Sequence, residues 1–224
     1  MRPLRPHRSP SAGPRAALAR WALAVLLLGT VGAAAAVPLR FTVWLDDRPI
    51  GHHRFDIEGD TQQRQVTSEA DFTVEWLHVP VFRYRHADRE TWRDGCLQAI
   101  DASTRTNGRL EEVRGHHEAG RFLIEGRGAL TPAPACVMTF AYWDKRILEQ
   151  SALLNAQTGV YAPIKVASLG TERFDGGAGV QNAEHYRLTA GDLRIELWYG
   201  PDGRWLGLRA PTKEGRTMTY RADP

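Results

Sequence analysis

Regular alternation of apolar and polar residues runs through most of the chain and predicts antiparallel β-strands. In the segment 66–76, every second residue is apolar or small, and the residues between them are threonine, glutamate or aspartate. This period of two is typical of a strand with one buried and one exposed face. The dipeptides Asp94-Gly95 and Asn107-Gly108 are typical of two-residue hairpin turns. Strands joined by such short turns predict a β-meander.

The segments 66–76 and 82–93 fit together as one hairpin. A single register places acidic residues opposite basic ones on one face and apolar residues opposite each other on the other face. It pairs Asp71 with Arg85, Thr73 with Arg83, Thr67 with Arg89, Phe72 with Tyr84, Val74 with Phe82, and Trp76 with Pro80. This pairing favours a structural role for the arginines over binding of phosphate or lipid headgroups.

One segment, 140–150, departs from the alternation and predicts a short α-helix. Its apolar residues recur at helical spacing, and Thr139 is suited to cap the N-terminus. The apolar residues are Phe140, Trp143, Ile147 and Leu148. The predicted fold is therefore mostly β. It is a curved antiparallel β-meander sheet, forming a half-barrel or an open barrel, with one short covering α-helix.

The first 36 residues have the organisation of a signal peptide. Five arginines precede an uncharged apolar run, 21–36, that ends in four alanines. Small residues are what signal peptidase requires at its cleavage site, so we expect a cleavable signal peptide over 1–36. We then expect a single β-rich periplasmic domain over 37–224, with no stable transmembrane segment after cleavage. The alternative is an uncleaved segment that anchors the chain in the inner membrane, facing the periplasm.

The positive charge of the chain is concentrated in this N-terminal segment. The formal net charge is +3, but the first 36 residues hold five arginines and no acidic residue. The rest of the chain carries a slight excess of acidic residues. A basic nucleic-acid-binding domain is therefore not favoured, and no nucleic-acid partner is expected.

Known motifs for catalysis, metal binding and cofactor binding are missing from the sequence. The histidine doublets at 52–53 and 116–117 point to opposite faces of a strand, so neither doublet chelates one ion. There is no Gly-x-Ser-x-Gly elbow, and the glycines at 176–179 lack the lysine of a phosphate-binding loop. We expect no catalytic residue, no metal site and no cofactor, although a catalytic site assembled from distant residues stays open.

Two cysteines, Cys96 and Cys136, are the only ones in the chain. An exported protein matures in an oxidising compartment, where a pair with no odd thiol left over forms one disulfide. A redox-active pair normally has the spacing Cys-x-x-Cys, which these residues do not have. We therefore predict a structural disulfide between them.

Several segments carry a resemblance to a known family. They are 41–52, 82–86, 92–97, 135–143, 154–159 and 197–208. Over roughly residues 39–221 the chain resembles a secreted bacterial family, the domain of unknown function 6134. This resemblance implies an exported, β-rich protein of Gram-negative bacteria and supplies no catalytic residues. The family pattern includes the Gly-Cys and Ala-Cys elements that contain Cys96 and Cys136 here, which agrees with the predicted disulfide.

The aromatic residues motivate the main functional hypothesis, a periplasmic protein that binds or carries a hydrophobic, lipid-like ligand. Trp44 and Trp198 fall on the polar face of their strands, and a strand that is apolar on both faces needs a covering element or a ligand. The residues predicted to form the cavity wall are Phe72, Val74, Trp76, Phe82 and Tyr84.

Two alternatives stay open. The first is a non-enzymatic envelope accessory protein that presents an exposed basic stripe to an envelope protein partner. That stripe is Arg83, Arg85, Arg89 and Arg93. The second alternative is a hydrolase that acts on envelope material. Sequence alone does not separate a cavity wall from an ordinary packed core, because both use the same apolar residues.

Overall fold

A computed structural model of the protein describes residues 37–77, 79–126 and 128–223. The predicted signal peptide, residues 1–36, lies outside the described residues. Within the described ranges, no helix is long and apolar enough to cross a membrane.

Strands make up most of the described chain, as the alternation predicts. The strands are β1 (Val37–Leu45), β2 (Arg48–Gly59), β3 (Gln63–Trp76), β4 (Val79–Arg93), β5 (Cys96–Thr106), β6 (Arg109–Glu118), β7 (Arg121–Gly126), β8 (Ala129–Ala133), β9 (Ala152–Leu154), β10 (Tyr161–Pro163), β11 (Lys165–Asp175), β12 (Val180–Ala190), β13 (Leu193–Tyr199), β14 (Trp205–Pro211) and β15 (Thr217–Ala222). One 3-10 helix, Lys145–Glu149, precedes β9.

Thirteen of these strands form one antiparallel meander sheet, which confirms the predicted class of fold. The sheet order is β11-β12-β13-β14-β15-β1-β2-β3-β4-β5-β6-β7-β8, and it does not close on itself. The strand β1 pairs with β15, with Val43 opposite Tyr220. Both strands lie in the interior of the sheet, where both edges of their backbones are hydrogen-bonded.

The predicted register of the β3–β4 hairpin is confirmed over most of its length. Asp71 lies opposite Arg85, and Phe72 lies opposite Tyr84. The exception is at the turn, where Trp76 faces Val79 instead of Pro80 because the register shifts between Val74 and Glu75. The shift occurs where Pro80, which has no N–H to donate to the ladder, enters the strand.

The predicted α-helix over 140–150 is wrong. Only the 3-10 helix Lys145–Glu149 forms there, and its N-cap is Asp144, whose side chain accepts a hydrogen bond from Arg146 N. The backbone just before it is held extended, because Leu97 N donates to Val137 O at 2.9 Å and Leu154 N donates to Met138 O at 2.8 Å. The predicted cap, Thr139, instead forms an isolated β-bridge with Leu154. A segment of eleven residues is too short to be a stable α-helix by itself, so these tertiary contacts decide its conformation.

The residues from 134 to 164, which we call the strap, connect β8 to β11 and pack against the apolar inner face of the sheet. The strap contributes fully buried side chains to the main core, among them Ile147, Leu153 and Leu154. The turn of the strap that contains Gly159 lies very close to β7, because a Cβ atom added to Gly126 would be 3.1 Å from the Cα atom of Gly159. The strap thus covers the inner face in the way that was predicted for a helix.

The predicted disulfide is confirmed. Cys96 at the start of β5 is bonded to Cys136 at the start of the strap, with an S–S distance of 2.00 Å. The hydrogen bond from Leu97 N to Val137 O follows directly after the disulfide. The two connections together hold the strap against the sheet.

The outer-face tryptophans are covered by the protein itself. The ring of Trp198 stacks on Phe174 from β11, with ring centroids 4.3 Å apart. These two residues belong to a small second core with Ala183 and Leu206. The guanidinium of Arg221 lies 4.8 Å from the ring centroid of Trp44. Neither tryptophan therefore requires a ligand on the outer face.

Candidate ligand-binding site

A cavity of about 770 Å³ lies between the inner face of the sheet and the strap. Its wall contains residues of β13 and β14, such as Ile195 and Leu208, together with residues of β4, such as Phe82. Five strands separate β13 from β4 in the sheet order, so the sheet bends around the cavity. The volume falls within the range of small-molecule sites, roughly 300–1,000 Å³.

The hairpin of β3 and β4 supplies one wall of the cavity as a series of cross-strand pairs. Side chains at every second position point to the same face, so the register fixes their order. From the turn inward, the pairs on this face are Val74 and Phe82, Phe72 and Tyr84, Ala70 and His86, Ser68 and Asp88, and Val66 and Glu90. The wall is therefore apolar near the turn and polar further in.

Four of the five residues predicted for the cavity wall line the cavity. They are Phe72, Val74, Phe82 and Tyr84. Phe72 and Tyr84 stack with ring centroids 5.2 Å apart. Burial raises the pKa of Tyr84 above its ordinary value, so its hydroxyl stays neutral. The side chain of the fifth residue, Trp76, lies outside the described part of the structure.

The rim of the cavity combines exposed apolar surface with charged residues. Val81, near the tip of the β3–β4 hairpin, is 56% exposed and lines the cavity. Lys213, Glu214 and Arg216, from the turn between β14 and β15, line the cavity as well. Arg216 is already engaged, because its Nε lies 2.7 Å from Asp46 Oδ2.

A buried polar group that the sequence analysis did not predict lies deeper in the cavity, centred on His86. Its Nδ1 lies 2.8 Å from Thr104 Oγ1, and its Nε2 lies 2.8 Å from Asp88 Oδ2. All three residues are buried. The second carboxylate oxygen of Asp88, Oδ1, is buried and has no hydrogen-bond partner among the described residues.

Glu90 extends this polar group along β4. Its Oε2 accepts a hydrogen bond from Trp92 Nε1 at 2.9 Å, and its side chain is also hydrogen-bonded to Thr139 of the strap. Burial raises the pKa of Glu90 to about 8, and the nearby Asp88 carboxylate adds to the rise. Glu90 is therefore mainly protonated at neutral pH.

A second polar pair, His53 and Ser68, lines the cavity beside this group. His53 Nε2 lies 2.9 Å from Ser68 Oγ, and His53 Nδ1 lies 3.2 Å from the Tyr220 hydroxyl. Desolvation lowers the pKa of His53 to about 3, with a smaller contribution from His86. The imidazole is therefore neutral over the physiological range of pH.

These contacts differ from those of a catalytic triad. Ser68 and His53 have the spacing of a nucleophile and its base, but the other ring nitrogen of His53 faces a tyrosine hydroxyl where a catalytic triad has a carboxylate. A pKa of about 3 also makes His53 a poor general base at neutral pH. In the described part of the chain, no group of three or more His, Cys, Asp and Glu side chains is arranged to hold a metal ion.

The sequence did contain a signal for the buried carboxyls. His86, Asp88 and Glu90 recur at every second position, in phase with Phe82 and Tyr84. Acidic residues on the apolar face of a strand are unusual, because burial of a charge is costly unless it is compensated. This phase relationship alone indicates a buried polar site on β4.

Comparisons with known proteins identify a family for the chain. A family model described as "Domain of unknown function (DUF6134)" matches residues 41–223. A search of curated proteins and a search of solved structures each gave no match. The chain belongs to the DUF6134 family, as its sequence motifs had indicated.

Proposed function

We propose that this DUF6134 protein binds a hydrophobic, lipid-like small molecule in the cavity between the sheet and the strap. The observation that carries the proposal is the cavity itself, about 770 Å³ in volume and lined along β3 and β4 by Val74, Phe82, Phe72 and Tyr84. A well-packed core leaves few voids larger than a water molecule, so a space of this size is far beyond a packing defect. Apolar walls with a few convergent polar groups are typical of ligand sites.

The rim and the location of the protein support the same function. Val81 exposes apolar surface at the rim of the cavity, where a lipid-like molecule would first make contact. The disulfide fits a protein that matures in the periplasm, and we propose that the export predicted from residues 1–36 places the cavity there. The proposed role is therefore binding or carrying an apolar molecule in the cell envelope.

The accessory-protein alternative loses one of the four arginines on which it depends. Arg83, Arg89 and Arg93 have no ion pair among the described residues, whereas Arg85 is paired on the exposed face, where its Nε lies 2.9 Å from Asp71 Oδ2. This is the pair that the hairpin register predicted. Exposed ion pairs of this kind contribute about 0–1 kcal/mol and serve mainly to fix the register.

Filling the cavity should abolish binding. We expect Val74→Trp to weaken the binding of N-phenylnaphthylamine, a small apolar probe, by at least about tenfold, equivalent to 1.4 kcal/mol. The larger side chain would occupy the space between the β3–β4 wall and the strap, because Val74 lines the cavity. Isothermal titration calorimetry of the purified protein measures the change in affinity.

The matched control is Thr73→Trp, which places the same side chain one residue earlier on the opposite face of β3. We expect this variant to bind the probe as the unmodified protein does. Equal affinity of Val74→Trp and Thr73→Trp, with both variants folded, would contradict the cavity as the binding site. Failure of the unmodified protein to bind the probe would contradict the proposed function.

A further inference from the structure

Building on the proposed function, we infer that the cavity selects amphiphiles whose polar end donates a hydrogen bond and carries no negative charge, and that Asp88 accepts this bond. The chemical class is a long-chain amine or alcohol, as opposed to a fatty acid. Three features of the cavity support this: the unpartnered carboxylate oxygen of Asp88, the order of apolar and polar residues along β4, and the distribution of charge around the cavity.

Asp88 has an open acceptor position. The residue lines the cavity and is only 7% exposed, and its Oδ1 atom has no hydrogen-bond partner among the described residues. A buried carboxylate oxygen without a donor is costly, and such groups are rare in native proteins. A ligand that places an N–H or O–H group at Oδ1 would remove this cost.

The neighbouring polar groups are already engaged, so they do not supply the missing donor. His86 uses one ring nitrogen on Asp88 Oδ2 and the other on Thr104. Glu90 contacts Trp92 and Thr139. The open position is therefore specific to Asp88 Oδ1.

The order of residues along β4 fixes how such a ligand would lie. Phe82 and Tyr84 are near the rim, and Asp88 lies further along the same face of the strand. Asp88 lies six positions along the strand from Phe82, about 20 Å at 3.3 Å per residue. A ligand with its polar end at Asp88 would thus extend its apolar chain past Tyr84 and Phe82 toward the rim.

The carboxylate of Asp88 disfavours an anionic polar end at this depth. Glu90, two residues further along the inner face of β4, is mainly protonated at neutral pH and adds no positive charge. The lysine and arginine among the described lining residues, Lys213 and Arg216, belong to the β14–β15 turn at the rim. A carboxylate head beside Asp88 would therefore meet a like charge without a lysine or arginine to offset it.

Four amphiphiles of equal chain length test this inference on the unmodified protein. Decanol and decylamine donate hydrogen bonds, the methyl ether of decanol only accepts them, and decanoate is anionic at neutral pH. We expect decanol and decylamine to bind about tenfold or more tightly than the methyl ether, because the ether leaves Asp88 Oδ1 without a donor. Decanoate should bind most weakly. Calorimetric titration measures the four affinities.

The variant Asp88→Asn should reverse the preference. His86 Nε2 lies 2.8 Å from Asp88 Oδ2, so an asparagine oxygen at that position would keep the contact and turn the amide N–H₂ toward the cavity. The site would then present a donor, and the advantage of decanol over its methyl ether should disappear. Asp101→Asn, at an exposed position of β5, removes the same charge and should leave the order of affinities unchanged.

The outcomes separate this inference from the proposed function. If all four amphiphiles bind with equal affinity, the protein binds apolar chains and the role of Asp88 is wrong. If decanoate binds as tightly as decanol and loses affinity in Lys213→Glu, the polar end lies at the rim and the inference is overturned. If none of the four binds, the proposed function itself fails. The comparison on the unmodified protein decides the matter even if Asp88→Asn does not fold.

Discussion

Removal of the Cys96–Cys136 disulfide should lower the free energy of unfolding by about 3–4 kcal/mol, the value expected from loop entropy for a bond of this span. The bond joins residues 40 positions apart and ties the start of the strap to β5. The effect arises mainly because the cross-link restricts the unfolded chain. Urea unfolding of the double variant Cys96→Ser/Cys136→Ser, compared with the oxidised protein, measures the loss.

Reduction provides the control for this prediction. A thiol reductant should shift the unfolding midpoint of the unmodified protein to that of the double variant and should leave the variant itself unchanged. Equal midpoints for the oxidised protein and the double variant would show that the disulfide does not restrict the unfolded chain as expected. Two free thiols in protein taken from an oxidising compartment would contradict the disulfide itself.

The stability of the protein should fall by about 2 kcal/mol between pH 6.5 and pH 8, and Glu90 should cause the fall. The pKa of Glu90 is raised from 4.5 to about 8 in the folded state, so between these values the folded protein holds a proton that the unfolded chain has lost. Stability therefore decreases as the pH rises through this range.

His53 has the opposite effect in a lower range. Its pKa is lowered from 6.5 to about 3 on folding, so the unfolded chain takes up a proton there and stability decreases as the pH falls. Between pH 4.5 and 6.5 the contributions of His53 and Glu90 offset each other. Above pH 6.5 only the Glu90 contribution remains, which is why the loss is expected there.

Glu90→Gln isolates this effect. Glutamine has nearly the shape of protonated glutamic acid and can still accept the hydrogen bond from Trp92 Nε1, but it does not titrate. The variant should show a nearly constant free energy of unfolding between pH 6.5 and pH 8 in urea titrations at several pH values. A decline as steep as that of the unmodified protein would rule out Glu90 as its cause. The exposed substitution Glu118→Gln serves as a control and should keep the decline.

Several features could be predicted because they depend on local sequence. The alternation in 66–76 and the pairing of Asp71 with Arg85 fix the β3–β4 register, and the structure departs from it only near Pro80. The disulfide follows from the two cysteines of the chain. In each case the deciding interactions are between neighbouring strands or between the only candidates of their kind.

The covering element could not be predicted in the same way. The spacing of Trp143, Ile147 and Leu148 is helical, but the segment is restrained at both ends by long-range contacts. Thr139 bridges to Leu154, and Cys136 is bonded to Cys96. Tertiary contacts of this kind override local helical preference, and they are not visible in a window of eleven residues.

The cavity also could not be predicted from the sequence. The residues Phe72, Val74, Phe82 and Tyr84 would be equally suited to a packed core. What leaves space between them and the strap is the position of the strap, which depends on the disulfide and on the close approach of Gly126 and Gly159. The inward phase of Asp88 and Glu90, by contrast, could have been predicted from the alternation of β4.

Solution NMR of methyl-labelled protein, titrated with N-phenylnaphthylamine, tests whether the cavity binds an apolar molecule. The aromatic rings of the probe shift the resonances of methyl groups that they contact. The account predicts saturable shifts for the methyls of Ile50 and Val74, which line the cavity, and none for the exposed Leu110 and Val180. Shifts confined to Leu110 or Val180, or the absence of saturable shifts at Ile50 and Val74, would contradict a ligand-binding cavity.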